Sequence, residues 1–317
     1  MATVTGVRTR PGRSSAPDAR RPLTAFVLAG GASLGAMQAG MLGALYERGV
    51  VPDLLVGTSA GALNAAFVAS RPQTVETAEQ LACVWNELRR EQIFPLSLRA
   101  LVVGLSGHRD HLVPDGGLRR LVARHVEFAD LGDAAVPLHV VAFDLTENCE
   151  VLLSRGPTLD VITAAASIPG IFPPVPIGGR SLVDGGVMNN TPISHAVALG
   201  AKRIFVLPTR DARRAPSRTS RGALGAAIEG LSLLTDGRLR FDLARYTKDA
   251  ELVVLPAPNR MDVQPTNFSH SQRLIDEALT ATRAFLGRAE RHRPLVRGAR
   301  EQRGRSLDAV NQLARVA

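Results

Sequence analysis

Gly57-Thr58-Ser59-Ala60-Gly61 constrains this chain more than any other stretch, because of what flanks it. Asp53-Leu54-Leu55-Val56 precedes it as a short apolar run of strand type. Ala62-Leu63-Asn64-Ala65-Ala66-Phe67-Val68 follows it, small, apolar and helix-forming. A G-x-S-x-G turned sharply between a strand and a helix is a nucleophile elbow. The turn is too tight for side chains at its flanks, so Gly57 and Gly61 bracket it, with Thr58 and Ala60 beside the serine. The Ser59 hydroxyl then projects from the turn, and the helix after it aims its positive end at any oxyanion formed there. Five residues with three fixed recur by chance; it is the strand before and the helix after that favour a nucleophile over a plain Gly/Ser turn.

The same alternation of strand and helix runs through the chain. Residues 24–29 read as a buried strand, 30–35 as a tight Gly-rich turn, and 36–48 as a helix with Met37, Met41, Leu42 and Leu45 on one face. Helices are expected over 74–90, 116–126, 159–167, 224–248 and 268–286, with another starting at Pro192. Strands are expected over 138–143, 151–153, 203–207 and 252–255, and Leu182-Val183 leads into a turn at Asp184. Residues 92–112 are less regular and read as a flap over a lipid site or as a plain amphipathic connection. This order predicts an α/β fold of three layers, a mostly parallel central sheet covered by helices on both faces. At 317 residues and 45% apolar content the chain can bury one large core.

The net charge of +9 suggests nucleic acid until it is located. Residues 1–22 carry five arginines and one acid, and residues 288–317 carry eight arginines and three acids. The whole excess therefore sits in the two ends, and residues 23–287 are formally neutral. The expected organisation is a disordered basic tail over 1–22, one domain over 23–287 and a second basic tail over 288–317. Such tails suit an anionic membrane surface or nonspecific polyanion binding, and equally suit solvated ends with no partner; no specific nucleic acid is expected. No apolar run reaches the roughly 20 residues that span a bilayer, and residues 1–22 have no signal-peptide core. Cys83 and Cys149 offer no disulfide framework and no metal spacing. The expectation is a cytoplasmic protein, peripheral to a membrane if the tails bind one.

A serine hydroxyl needs a base to become a nucleophile. The seven histidines, His108, His111, His125, His139, His195, His270 and His292, all follow Ser59, and none sits at a strand end beside a Gly turn where a triad histidine is held. Asp184 does: Ser181-Leu182-Val183 leads into Asp184-Gly185-Gly186, so a carboxylate stands at a second strand-end turn and can accept the serine proton directly. The other Asp-Gly-Gly, at Asp115, opens an amphipathic helix and is expected to cap it. Gly30 to Gly35 lacks the middle glycine of a dinucleotide fingerprint, Asp53 begins its strand rather than ending it, and no Walker lysine follows.

Taken in order, these segments resemble those of the bacterial patatin-like phospholipases. The match consists of Leu28-Ala29-Gly30-Gly31-Ala32-Ser33-Leu34-Gly35-Ala36, then Gly57-Thr58-Ser59-Ala60-Gly61. It continues with Ala165-Ala166-Ser167-Ile168-Pro169-Gly170-Ile171-Phe172-Pro173-Pro174-Val175 and ends with Asp184-Gly185-Gly186. It covers residues 23–287. The resemblance implies a patatin-like fold and a serine lipid acyl hydrolase acting on phospholipids or lysophospholipids. It implies a Ser–Asp dyad, with Ser59 as nucleophile and Asp184 as base, and no metal or organic cofactor. The turn formed by Gly30, Gly31, Ala32, Ser33 and Gly35 would point backbone N–H groups at the substrate oxyanion. Two positions depart from the family pattern: Ala32, where glycine is usual, and Leu34, where Arg or Lys is frequent and a cation near the site is thereby lost. They leave open a non-catalytic lipid-binding protein on the same scaffold. A triad esterase using His195 or His270 on soluble esters also stays open.

Overall fold

The computed structural model describes residues 22–95, 111–211, 223–258 and 263–292. The two basic ends, the basic loop at 210–221 and the irregular stretch at 92–112 lie wholly or largely outside them. In chain order β1 (Thr24–Leu28) leads through a 3-10 turn (Ala32–Ala36) into α1 (Met37–Tyr46). Next come β2 (Leu54–Thr58), α2 (Ala60–Ala69), α3 (Val75–Glu87), the single turn α4 (Arg90–Ile93) and α5 (Gly116–His125). β3 (Leu138–Asp144), β4 (Cys149–Leu153), α6 (Thr158–Ala165), β5 (Val175–Ile177) and β6 (Arg180–Asp184) form the middle of the chain. α7 (Gly186–Asn189), α8 (Ile193–Ala198), β7 (Arg203–Leu207), α9 (Ala223–Tyr246), β8 (Glu251–Val254) and α10 (Ser271–His292) complete it.

The central strands β1, β2 and β7 are apolar apart from Thr24, Thr58 and Arg203 at their ends, because both faces are covered. Phe26, Leu28, Leu55, Phe205 and Leu207 point into one core, shared with α1, α2, α3 and α10. Ala25, Val27, Leu54, Val56, Ile204 and Val206 point into the other, shared with α8 and α9. The period of two along β1, β2 and β7 thus divides each strand between the layers. Phe26 is completely buried and meets Phe205 edge-on at 5.5 Å between ring centres. Burying a side chain of that size contributes about 2–3 kcal/mol.

The eight strands run in the order β5-β6-β3-β2-β1-β7-β8, with β4 paired to β3 alone. β3, β2, β1, β7 and β8 are parallel, as the alternating sequence predicts, whereas β4, β5 and β6 are antiparallel. β4 lies along one edge of β3, opposite Val140 to Asp144. The other edge is shared end to end. β2 pairs with its first half, Thr58 opposite Val141, and β6 runs the opposite way along its second half, Asp184 opposite Ala142. No helix among the described residues is long and apolar enough to cross a membrane.

Candidate active site

Ser59 stands between β2 and α2 at φ 57° and ψ −127°. Left-handed backbone at a residue with a Cβ costs on the order of 1–3 kcal/mol, and it is kept here because the surroundings leave no alternative. Gly61 permits the turn: a Cβ there would lie 2.1 Å from the Leu28 carbonyl oxygen. The Ser59 N–H donates to Ala165 O at 3.0 Å, and the Asp184 N–H donates to Ser167 O at 2.8 Å. The end of α6 therefore holds the backbone of both residues, which gives the Ala165-Ala166-Ser167 stretch a physical role. Thr58 Oγ1 donates to Asn189 O at 3.0 Å and ties the elbow to the turn after Asp184.

Adjacent pairing on β3 brings the two strand ends together, and the Ser59 side chain lies close enough to the Asp184 carboxylate to favour its ionised form. Asp184 also accepts the Gly186 N–H on Oδ1 at 2.8 Å. Both side chains are almost fully enclosed, Ser59 at 8% and Asp184 at 4% exposure. Burial pushes the Asp184 carboxyl up to about 6, against the hydrogen bonds from Ser59 and Gly186, which pull it down. No histidine among the described residues is hydrogen-bonded to either group. His195 bonds Glu150, and His139 Nδ1 bonds Ser154 Oγ at 2.6 Å.

The Gly-rich turn beside them is more selective than its sequence suggests. The Gly30 N–H is bonded to Asn190 O at 3.0 Å and the Ser33 N–H to Pro265 O at 2.9 Å, so these two groups, expected to face an oxyanion, are engaged elsewhere. Gly35 lies inside the 3-10 turn, with its carbonyl accepting from Asn64 Nδ2 at 2.9 Å. Among the described residues the N–H groups of Gly31 and Ala32 have no acceptor. Ala32 sits at φ 49°, a value that explains why glycine is favoured at this position.

Leu34 is buried in the core and is not among the residues that line the crevice. Asp115 also departs from expectation. Its side chain makes no cap bond to the helix and instead pairs with Arg119 Nε at 2.6 Å. Cys83 and Cys149 are free and exposed, and no group of three or more His, Cys, Asp or Glu among the described residues is placed to hold a metal.

Ser59 and Ala32 line an apolar crevice together with Leu63, Trp85, Phe172 and Phe268. Trp85 stacks on Phe268 at 6.1 Å, and Phe94 on Phe172 at 5.4 Å. Beneath it runs a buried polar chain that sequence reading did not single out. Trp85 Nε1 donates to Asn64 Oδ1 at 2.9 Å, and Asn64 Nδ2 to Gln38 Oε1 at 2.8 Å. Gln38 Nε2 in turn donates to Ala29 O at 2.8 Å and Leu207 O at 2.9 Å. Gln38 on an otherwise apolar helix was the one available signal, since a fully buried amide must find partners.

Comparison with known proteins agrees with this geometry. The family model described as patatin-like phospholipase matches residues 26–197. The chain is 29% identical over 185 residues to patatin-like phospholipase domain-containing protein 6 of Homo sapiens, covering 58% of this chain and 13% of that protein. It is 27% identical over 189 residues to lysophospholipase NTE1 of Mycosarcoma maydis, covering 57% and 9%. With an uncharacterised NTE family protein of Mycobacterium bovis the identity is 28% over 287 residues, covering 82% and 46%. The chain thus spans less than half the length of these relatives. Among solved structures it is similar to VipD of Legionella pneumophila, at 14% identity and a TM-score of 0.46, covering 84% of this chain and 67% of that one. Because the family match takes in more than half of the chain and contains both Ser59 and Asp184, this protein belongs to the patatin-like phospholipase family.

Proposed function

We propose that this protein is a serine lipid acyl hydrolase that cleaves carboxylic esters of phospholipids or lysophospholipids by a Ser59–Asp184 dyad. The observation that carries the reading is the placement of Ser59, which lines an apolar crevice, against the enclosed Asp184 carboxylate. The family membership supports it, as do the lysophospholipase and phospholipase names of the relatives. The catalytic unit in this reading is residues 23–287.

The chemistry follows from the groups present. A solvated aspartate, with a pKa of about 3.9, is a poor base for an alcohol. Burial of Asp184 raises it to about 6 and keeps the carboxylate within reach of Ser59 Oγ. Ser59 Oγ attacks the ester carbonyl carbon while its proton passes to Asp184. The carbonyl π electrons move onto oxygen, and the oxyanion is met by the N–H groups of Gly31 and Ala32 and by the N-terminal end of α2. Collapse of the tetrahedral species expels the alcohol, which takes the proton from Asp184, and leaves an acyl group on Ser59. Water then attacks this acyl-enzyme, giving its proton to Asp184. The second collapse releases the fatty acid and returns the proton to Ser59.

The apolar walls suit an acyl chain, and the arginine-rich ends suit the anionic surface from which such a substrate comes. The proposed setting is the cytoplasmic face of a membrane, in keeping with two exposed free cysteines.

The test is fatty-acid release from a lysophospholipid, together with turnover of a short-chain chromogenic ester. Wild type hydrolyses both, and Ser59→Ala and Asp184→Asn each lose about a thousandfold or more in kcat with the fold retained. Normal turnover by Ser59→Ala would overturn the proposal.

A further inference from the structure

Gly30 and Gly31 flank a peptide whose rotation no Cβ restricts. The direction of the Gly31 N–H is therefore not set by local backbone preference, and it must be set from outside. Three hydrogen bonds do so. Thr209 Oγ1 donates to Gly30 O at 2.5 Å, Asn190 Nδ2 donates to the same oxygen at 3.1 Å, and the Gly30 N–H donates to Asn190 O at 3.0 Å. Thr209 lies just beyond β7 and is buried, at 3% exposure; Asn190 closes the turn that begins at Asp184.

In a trans peptide the carbonyl and the following N–H point in opposite directions. Holding Gly30 O toward Thr209 and Asn190 turns the Gly31 N–H to the other side, where it has no acceptor among the described residues. The next residue, Ala32, borders the crevice together with Ser59. Asn190 reaches further than this one peptide: its Oδ1 would lie 2.3 Å from a Cβ on Gly30 and 2.9 Å from one on Gly186. One side chain therefore fills the space between the Gly-rich turn and the turn that carries Asp184.

We propose that Thr209 and Asn190 are positioning residues for acyl transfer, which clamp the Gly30–Gly31 peptide so that the Gly31 N–H faces the oxyanion. This rests on the reading of Ser59 as an acyl-transfer nucleophile. Without the clamp the peptide is free to flip, and a flipped peptide presents the Gly30 carbonyl oxygen where negative charge develops. The neutral carbonyl of the bound ester is little affected by that change, whereas the oxyanion is both unsupported and repelled. The clamp thus acts on kcat and leaves KM nearly unchanged.

The experiment uses the full chain and four variants. Thr209→Val keeps the shape and removes the donor, while Thr209→Ser keeps the donor and loses a methyl. Asn190→Asp replaces the amide donor by a carboxylate oxygen, and a double variant combines Thr209→Val with Asn190→Asp. kcat and KM on a chromogenic ester, the second-order rate of labelling by a fluorophosphonate probe, and the melting temperature are measured for each. Thr209→Val and Asn190→Asp are expected to lose about tenfold or more in kcat and in labelling rate, with KM within about twofold and Thr209→Ser close to wild type. Wild-type kcat in Thr209→Val, Asn190→Asp and the double variant overturns the clamp while leaving the hydrolase reading intact. A Thr209→Ser protein as impaired as Thr209→Val also overturns it, because the loss then comes from packing. A wild type that neither turns over the ester nor is labelled at Ser59 removes the hydrolase reading itself, and the clamp with it.

Discussion

Ser59 meets the Asp184 carboxylate although 125 residues separate them, because their strands end against adjacent residues of β3. Thr58 is opposite Val141, and Asp184 is opposite Ala142. Two strands approaching head-on along one edge bring Ser59 and Asp184 together, with no described histidine bonded to either. The end of α6 then fixes both backbones through Ala165 O and Ser167 O.

The raised Asp184 pKa has consequences for both rate and stability. As a base Asp184 must be ionised, so kcat is expected to rise with pH through about 6 and then level off. For stability the sign is opposite. A carboxyl whose folded pKa lies above its unfolded value of 3.8 contributes fully below that value, and the contribution is lost as pH rises through about 6. The ionised, enclosed carboxylate then costs roughly 3 kcal/mol at most. Asp184→Asn is therefore expected to be more stable than wild type at pH 8 and to lose that advantage below pH about 4, as read by urea unfolding at the two pH values.

Ala32 holds a left-handed backbone conformation at φ 49°. Substitution by glycine removes strain of roughly 1–2 kcal/mol, partly offset by the larger entropy of the unfolded glycine chain. Ala32→Gly is expected to gain up to about 1 kcal/mol, read as a higher denaturant midpoint with an unchanged m-value.

Gln38 is completely buried, and its amide joins Ala29 O, Leu207 O and Asn64. Gln38→Leu preserves volume but takes the side-chain donor from Ala29 O, at about 1–3 kcal/mol for such a group, while Leu207 O keeps the Ala29 N–H at 3.2 Å. A fall of about 1–3 kcal/mol in unfolding free energy is expected; a variant as stable as wild type would show that the network carries no weight.

Trp85 is the one tryptophan of the chain and lines the crevice above Ser59. Its emission therefore reports directly on occupancy. Long-chain fatty acid, or the phosphonyl group left by a fluorophosphonate probe, is expected to change that emission in wild type. The probe is expected to change it much less in Ser59→Ala, where no covalent adduct forms.

Much of this site is legible in short segments, since Ser59 and Asp184 each sit in a local pattern whose turn demands small residues. Gly57 to Gly61 and Asp184 to Gly186 show themselves this way, and the alternation of apolar runs predicts the parallel half of the sheet. The antiparallel half is not legible. β5 spans only Val175–Ile177, within a proline-rich stretch that gives no strand period. The pairing of β6 with the second half of β3 depends on register between segments 40 residues apart in sequence. Contacts at long separation are equally hidden: Thr209 reaching Gly30, or Asn189 O accepting from Thr58, involves side chains that are unremarkable where they stand.

The most direct test of the dyad is the kcat of Asp184→Asn on a lysophospholipid at pH 8, compared with wild type and with His195→Ala. The account predicts a loss of about a thousandfold or more in Asp184→Asn, with its thermal transition intact. His195, bonded to Glu150 and not to Ser59, is expected to leave kcat within about threefold of wild type when replaced by alanine. Wild-type turnover by Asp184→Asn, or its loss in His195→Ala alone, would contradict the account.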